Sequence, residues 1–173
     1  NTIPPYLKPA GERRAGTRLD ANENLWGPPP RVSAALRLGS DRIAAYPDEA
    51  GKLANAAARR FGAGADGLIL TNGADEAMYA LMSLFAGRGG QVVMPVPGFN
   101  LYALAARLHG ARIVGVPLGP HFEFRLSRLM KAVTNRTRMV VLVTPGNPTG
   151  TEIGPDEIEA IVKRAARFDI PVL

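Results

Sequence analysis

Short apolar runs alternate with amphipathic segments from residue 68 onward, and this alternation constrains the fold more than any other feature of the chain. The apolar runs predict strands at 68–70, 91–94, 111–116 and 139–143, and the amphipathic segments predict helices at 74–86, 99–109, 126–133 and 155–168. The run Met139–Val143 is apolar throughout, which is typical of a strand buried on both faces. Strands and helices that alternate in this way form parallel sheets, so the sequence predicts an α/β fold.

Charged residues at the two ends of the segment 155–168 favour a helix there. Asp156 and Glu157 lie in its first turn, where the helix dipole is positive, and Arg167 lies at the negative end. Apolar residues resume at Ile170–Leu173. We therefore expect a further strand to begin after this helix.

The first 30 residues contain six prolines, which exclude a regular helix or a central strand over most of this stretch. We expect an extended N-terminal arm over residues 1–30, followed by a domain over residues 31–173. Apolar spacing within that domain predicts a short helix from Arg31 to Gly39 and a second helix that ends at Gly62.

The composition limits the chemistry that the chain can carry. It has no cysteine and only two histidines, so we expect no disulfide, no metal site and a cytoplasmic location. No apolar run approaches the roughly 18 to 20 residues of a membrane span. The 21 basic residues exceed the 15 acidic ones, but they are scattered along predicted helices. Neither a membrane nor a nucleic acid is an expected partner.

The turns at the carboxyl ends of the predicted strands are the candidate binding sites, because ligands of open parallel sheets bind there. The turn Thr71–Glu76 follows the first predicted strand and opens a helix. Gly73 permits a tight turn, which would leave the backbone N–H groups of Ala74 and Asp75 unpaired and suited to a phosphate. An ordinary capped helix would show the same residues.

Two further turns place an aromatic ring and an amide at the same edge. Phe99 follows the predicted strand 91–94 and would stack on a flat heteroaromatic ring, although simple core packing explains an aromatic residue equally well. Asn147 lies in the turn Thr144–Gly150. Its side-chain amide would donate a hydrogen bond to a ligand oxygen such as that of a phenolate. The alternative is that this segment is a turn with no role in binding.

Five motifs occur in a fixed order, and together they are more specific than any one alone. They are Leu19–Asn24, Tyr46–Asp48, Thr71–Glu76, Pro95–Tyr102 and Asn147–Gly150. With this order and spacing the chain resembles the class I/II aminotransferases among the fold-type I pyridoxal-phosphate enzymes, in particular the histidinol-phosphate aminotransferase branch. The resemblance implies a three-layer α/β sandwich with a mostly parallel sheet, present here as an incomplete large domain.

The resemblance implies an aminotransferase that moves an amino group between an amino acid and a 2-oxo acid. Its cofactor would be pyridoxal 5'-phosphate, and histidinol phosphate is the first-choice substrate. By resemblance, Ala74 and Asp75 hold the cofactor phosphate, Phe99 stacks on the pyridine ring and Asn147 hydrogen-bonds the ring oxygen.

Three further roles follow from the same resemblance. Tyr46 would reach the cofactor phosphate of a partner subunit, which implies a homodimer. Tyr6 matches a position that approaches the substrate phosphate, and Asn22 lies in a loop that lines the substrate pocket.

The sequence departs from the pattern of this branch at two positions. Phe99 stands where tyrosine is more often found, and Gly146 stands where asparagine is common. Phe99 keeps the aromatic face, and Gly146 only neighbours the residue whose side chain matters. The departures therefore bear on substrate identity more than on fold.

The lysine that forms the Schiff base with the cofactor is not among the four lysines of this chain. Lys8 lies in the arm, and Lys52, Lys131 and Lys163 lie on predicted helices outside the family's lysine motif. An Asp-Glu-Ala-Tyr motif would be expected directly after Leu173. We therefore expect a fragment that lacks a catalytic residue and the small C-terminal domain, and that is inactive alone.

Other interpretations share part of this pattern. A pyridoxal-phosphate decarboxylase of the same fold would use most of the same motifs, and a non-catalytic module could retain the sheet and the phosphate site. A nucleotide-binding domain is disfavoured, because the chain has neither a Gly-x-Gly-x-x-Gly nor a Gly-Lys-Ser/Thr loop.

Overall fold

The computed structural model describes residues 21–38, 44, 46 and 50–173. The described residues divide into two compact units at the junction between Leu70 and Thr71. Most of the predicted arm, residues 1–20, lies outside the described residues. Residues 21–29 form neither helix nor strand.

The described residues of the unit that ends at Leu70 include two helices and a short 3-10 turn. Helix α1 spans Pro30–Leu38, α2 spans Ala50–Phe61, and the 3-10 turn spans Ala65–Gly67. Both α-helices were predicted, and α1 begins on Pro30, whose fixed φ and missing N–H suit the first helical position. No side chain of α1 is buried.

The strand predicted at 68–70 is wrong. These residues are irregular in the structure, and the side chain of Ile69 is 81% exposed. A strand needs a neighbour that accepts and donates its backbone hydrogen bonds. The sheet among the described residues has three strands, at 91–96, 112–117 and 137–140, and none of them pairs with residues 68–70.

The unit from Thr71 to Leu173 alternates helices and strands, as predicted. Its elements are α3 Gly73–Leu81, which continues as a π-helical turn Met82–Ala86, β1 Gln91–Val96, α4 Asn100–Leu108, β2 Arg112–Pro117, α5 Leu126–Ala132, β3 Thr137–Val140 and α6 Pro155–Ala166. Strand β1 pairs in parallel with β2 on one side and with β3 on the other. The parallel sheet predicted from the alternation is confirmed.

The predicted strand at Ile170–Leu173 also pairs with the sheet. The N–H of Val140 donates to the carbonyl of Pro171 at 3.0 Å, and the N–H of Leu142 donates to that of Leu173 at 2.8 Å. Val172 forms a parallel bridge with Val140. The regular part of β3 ends at Val140 rather than at the predicted Val143, but Val141 still donates to Val93 at 2.9 Å.

Alternate residues of the strands enter two separate hydrophobic cores, one on each face of the sheet. Val92 and Met139 pack in the core beside α4 and the π-helical turn. Val93 and Val140 pack in the core beside α5 and α6. This arrangement is a three-layer α/β sandwich, and it places the carboxyl ends of β1 and β3 side by side.

None of the helices in the described part of the chain has the length and apolarity needed to cross a bilayer.

Candidate functional site

The carboxyl ends of β1 and β3 lead into two turns that share a small cavity. Pro97 and Gly98 line it from the first turn, and Asn147 and Thr149 line it from the second. The cavity volume is about 20 Å³, which holds about one water molecule. A pyridine ring does not fit inside it, so a flat ligand would have to lie over the exposed edge of these turns.

The start of α3 supplies two backbone donors at the exposed surface. Gly73 has φ +76°, a left-handed conformation that glycine adopts at little cost. Its N–H donates to the carbonyl of Thr71 at 2.9 Å. The backbone N–H groups of Ala74 and Asp75 donate to no acceptor among the described residues. First-turn N–H groups without an acceptor can donate to an anion, so the phosphate site predicted here stays a prediction.

A carboxylate occupies the other side of this helix start. Glu76 accepts hydrogen bonds from the backbone N–H of Asn72 and from its side-chain amide, the latter at 3.0 Å. Because this carboxylate already offsets part of the positive dipole, a phosphate there would depend mainly on hydrogen bonds to Ala74 and Asp75.

Phe99 lies immediately before α4, and its ring is half-buried against a second aromatic ring. The centroids of Phe99 and Tyr102 are 6.1 Å apart and the ring planes meet at 82°, an edge-to-face pair. Burial raises the pKa of Tyr102, and the nearby carboxylate of Asp75 raises it further. Tyr102 therefore contacts the Phe99 ring and lies within electrostatic reach of the Asp75 carboxylate.

Hydrogen bonds hold the turn that carries Asn147. The N–H of Gly146 donates to the carbonyl of Thr151, and the N–H of Gly150 donates to that of Gly146, both at 2.7 Å. The hydroxyl of Thr151 donates to the carbonyl of Phe122 at 2.7 Å. The side-chain amide of Asn147 makes no hydrogen bond with the described residues, so a fixed backbone presents an unused donor.

The small residue at position 146 has a local steric reason. A Cβ atom on Gly146 would lie 2.8 Å from the hydroxyl of Thr149 and 3.4 Å from the carbonyl of Thr151. A larger side chain, such as the asparagine common in the histidinol-phosphate branch, would have to displace Thr149. In this chain, the space that a side chain at position 146 would need is filled by the Thr149 hydroxyl and by Thr151.

The comparison with protein families covers nearly the whole chain. The family model described as "Aminotransferase class I and II" matches residues 14–173. The chain belongs to this aminotransferase family. The family predicted from the five motifs is thus confirmed.

Individual aminotransferases agree with this assignment. Histidinol-phosphate aminotransferase 2 of Carboxydothermus hydrogenoformans is 36% identical over 90% of this chain and 43% of its own length. Histidinol-phosphate aminotransferase of Desulfitobacterium hafniense is 39% identical over 88% of this chain and 44% of its own length. The chain spans less than half the length of these relatives.

Solved aminotransferase structures share the fold. Histidinol-phosphate aminotransferase from Sinorhizobium meliloti, in complex with pyridoxal-5'-phosphate, superposes with a TM-score of 0.76 at 28% identity, covering 83% of this chain and 39% of its own. A mutant of Thermus thermophilus aspartate aminotransferase gives a TM-score of 0.79 at 26% identity, covering 88% of this chain and 45% of its own.

The predicted site residues of this aminotransferase chain fall into three groups. Ala74, Asp75, Phe99 and Asn147 lie in the unit from Thr71 to Leu173, where Phe99 follows β1, Asn147 follows β3, and Ala74 and Asp75 lie in the first turn of α3. Asn22 and Tyr46 belong to the other unit, where both are exposed. Tyr6 lies outside the described residues.

Two lysines of the Thr71–Leu173 unit lie on helix surfaces. Lys131 is exposed at the end of α5, and Lys163 forms an ion pair with Glu159 one turn earlier on α6. Their positions are those of solvated charges.

Sequence reasoning assigned no role to two residues of this edge. Tyr102 follows Phe99 by three residues, a spacing that brings side chains together within one helical turn. Glu76 follows Asn72 by four residues, close to the reach of a capping box. Both spacings are visible in the sequence, although neither reveals which partner the side chain contacts.

Proposed function

We propose that the complete gene product containing this chain is a pyridoxal-phosphate-dependent aminotransferase. Its substrate would be histidinol phosphate, and its amino-group acceptor a 2-oxo acid. The observation that carries the proposal is a set of unused hydrogen-bond donors: the two first-turn N–H groups of α3 and the side-chain amide of Asn147 in the turn after β3. Phe99 lies in the turn after β1. The histidinol-phosphate aminotransferases among the relatives support this choice of substrate.

The chemistry of these groups suits this cofactor, which has an anionic phosphate, a flat ring and a ring oxygen. The N–H groups of Ala74 and Asp75 would bind the phosphate, and Phe99 would stack on the pyridine ring. The amide of Asn147 would donate to the ring oxygen and hold the plane of the ring. When bound, pyridoxal phosphate supplies an electron sink for charge that develops on the substrate carbon bearing the amino group.

The remaining roles extend the proposal beyond the Thr71–Leu173 unit. Tyr46 would donate to the cofactor phosphate in a partner subunit, which requires a homodimer. Tyr6 and Asn22 would contact the substrate. Residues 1–30 would form the arm of a cytoplasmic enzyme, and residues 31–173 part of its large domain.

An amino-transfer assay of the complete gene product tests the function. We expect the purified protein to retain pyridoxal phosphate. With histidinol phosphate as amino donor and 2-oxoglutarate as acceptor, it should form glutamate and the ketone that corresponds to histidinol phosphate. Aspartate and aromatic amino acids serve as competing amino donors. Faster amino transfer from one of these donors than from histidinol phosphate would contradict histidinol phosphate as the substrate. Release of carbon dioxide would indicate a decarboxylase. A protein that retains no cofactor would contradict the proposal as a whole.

A further inference from the structure

The hydroxyl of Thr151 joins two turns that lie far apart in the sequence. It donates to the carbonyl of Phe122 at 2.7 Å, a contact between residues 29 positions apart. Phe122 lies in the turn Gly119–Glu123 after β2, whereas Thr151 closes the turn that carries Asn147 after β3. The residues that flank the first turn line the same small cavity as Asn147. The Asn147 turn is therefore attached to a neighbouring part of the sheet edge.

The hydrogen bonds around Thr151 have one consistent direction. A threonine hydroxyl carries a single proton and a carbonyl only accepts, so the proton of Thr151 goes to Phe122. The hydroxyl of Thr149 lies 2.9 Å from that of Thr151 and must then donate to it. The Thr149 oxygen in turn accepts from the backbone N–H of Thr151 at 3.3 Å. A chain of two hydroxyl groups thus runs from the Asn147 turn to Phe122.

The backbone of the Asn147 turn closes on the same residue. The carbonyl of Thr151 accepts from the N–H of Gly146 at 2.7 Å, and Gly146 immediately precedes Asn147. The position of Thr151 therefore sets the position of the backbone from which the Asn147 amide extends.

Phe122 is held by hydrogen bonds of its own turn. Its φ of +62° is a left-handed conformation that is rare for a bulky residue and persists only where the surroundings hold it. Its N–H donates to the carbonyl of Gly119 at 3.0 Å, and the N–H of Gly119 donates to that of Glu123 at 2.9 Å. These bonds fix the direction in which the Phe122 carbonyl points toward Thr151.

We propose that Thr151 is a positioning residue whose hydroxyl holds the Asn147 turn so that the Asn147 amide points at the cofactor ring oxygen. This inference rests on the proposed function, because it requires the cofactor at Asn147. The active group is the hydroxyl, since the backbone carbonyl of residue 151 is present in every variant. Without the hydroxyl, the turn keeps its internal backbone bonds but loses its link to Phe122. Loss of one such hydrogen bond shifts an equilibrium by roughly two- to tenfold.

Three variants of the complete gene product isolate this hydroxyl. Thr151→Val removes it and Thr151→Ser keeps it. Thr134→Val is the matched control, because it removes a hydroxyl that accepts from the N–H of Arg136 at 3.3 Å before the start of β3. We expect roughly two- to tenfold weaker binding of pyridoxal phosphate, with a shifted absorbance maximum of the bound cofactor, in Thr151→Val only. The absorbance maximum reports the hydrogen bond to the ring oxygen, which a general loss of stability would not change.

Amide hydrogen exchange in the cofactor-free protein is a second measurement. The N–H groups of Gly146 and Gly150 should exchange roughly two- to tenfold faster in Thr151→Val than in the wild type and in Thr151→Ser, because the turn opens more often. Thr151→Ala replaces Thr151→Val should that variant not fold. Unchanged exchange, an unchanged absorbance maximum, or equal effects of the valine and serine substitutions would overturn the role of Thr151. Failure of the wild type to bind cofactor would overturn the proposed function, whereas the exchange rates would still show whether the hydroxyl holds the turn.

Discussion

The backbone N–H of Ala74 can be removed without deleting a side chain from the site. Ala74 is the second residue of α3, and proline is tolerated in the first turn of a helix because the N–H there has no intrahelical partner. The residue before it is Gly73, which has no Cβ to clash with the proline ring. Ala74→Pro should therefore preserve the fold and abolish one proposed donor to the phosphate.

The size of the effect follows from the surroundings of α3. A hydrogen bond to a charged group contributes about 1.5 to 3 kcal/mol. The site is exposed and the Glu76 carboxylate lies at the same helix start, so the lower value applies. A loss of about 1.5 kcal/mol corresponds to roughly tenfold weaker binding.

Cofactor binding by the complete gene product, measured by equilibrium dialysis against pyridoxal phosphate, provides the assay. Ala74→Gly is the matched control, because it also replaces the methyl group but keeps the N–H. Far-ultraviolet circular dichroism and the melting temperature report whether the fold is preserved. Equal dissociation constants for Ala74→Pro and Ala74→Gly in folded protein would refute the assignment of the phosphate to the start of α3.

Three other perturbations have expected outcomes. Asn147→Ala should weaken cofactor binding by roughly five- to tenfold and shift the absorbance maximum of the bound cofactor. Asn147→Gln keeps an amide and should retain part of the affinity. An unchanged absorbance spectrum in Asn147→Ala would contradict the contact with the ring oxygen. Thr137 is fully buried, and its hydroxyl accepts a hydrogen bond from the N–H of Thr134 at 3.0 Å. Thr137→Val should therefore lower the free energy of unfolding by about 1 to 3 kcal/mol, and the control Thr137→Ser, which keeps the hydroxyl, should lower it by less. Equal urea midpoints for the two variants would contradict this account. The pKa of Tyr102 is raised, so its protonated phenol stabilises the folded state below about pH 10, and this stabilisation is lost as the pH rises through the raised pKa. Above about pH 10 the free energy of unfolding should therefore fall less steeply with pH in Tyr102→Phe than in the wild type. Identical pH dependence in the two proteins would argue against the shift.

The periodicity of the sequence predicted most elements because each has a local cause. The alternation of apolar runs and amphipathic helices predicted β1, β2 and β3 with their intervening helices. The strand predicted at 68–70 failed because a short apolar run becomes a strand only when a neighbour pairs with it, and that neighbour cannot be identified from a local pattern. Ile170–Leu173, equally short, does pair with β3.

The candidate site was predictable in part for a similar reason. The turns that carry Phe99 and Asn147 could be located because each follows a strand of the parallel sheet, at the edge where ligands bind. The same rule does not locate Ala74, because the strand predicted before it does not form; only the helix that begins at Gly73 was predicted there. The surroundings of Tyr102 could not be predicted, since they include a ring that precedes its own helix and a carboxylate on another helix. Tertiary contacts of this kind are not encoded in any single segment.

The proposed phosphate site has an electrostatic difficulty that the surrounding side chains reduce. Asp75 and Glu76 both carry carboxylates in the first turn of α3, where they favour the helix but repel a second anion. Glu76 is hydrogen-bonded to Asn72, and the Asp75 carboxylate acts on Tyr102. The phenol of Tyr102 adds no third negative charge at neutral pH, because the ordinary pKa of a tyrosine lies near about 10 and burial raises it. The repulsion that a phosphate would meet at the N–H groups of Ala74 and Asp75 therefore comes from the two carboxylates, and the hydrogen bond from Asn72 offsets part of the charge of Glu76.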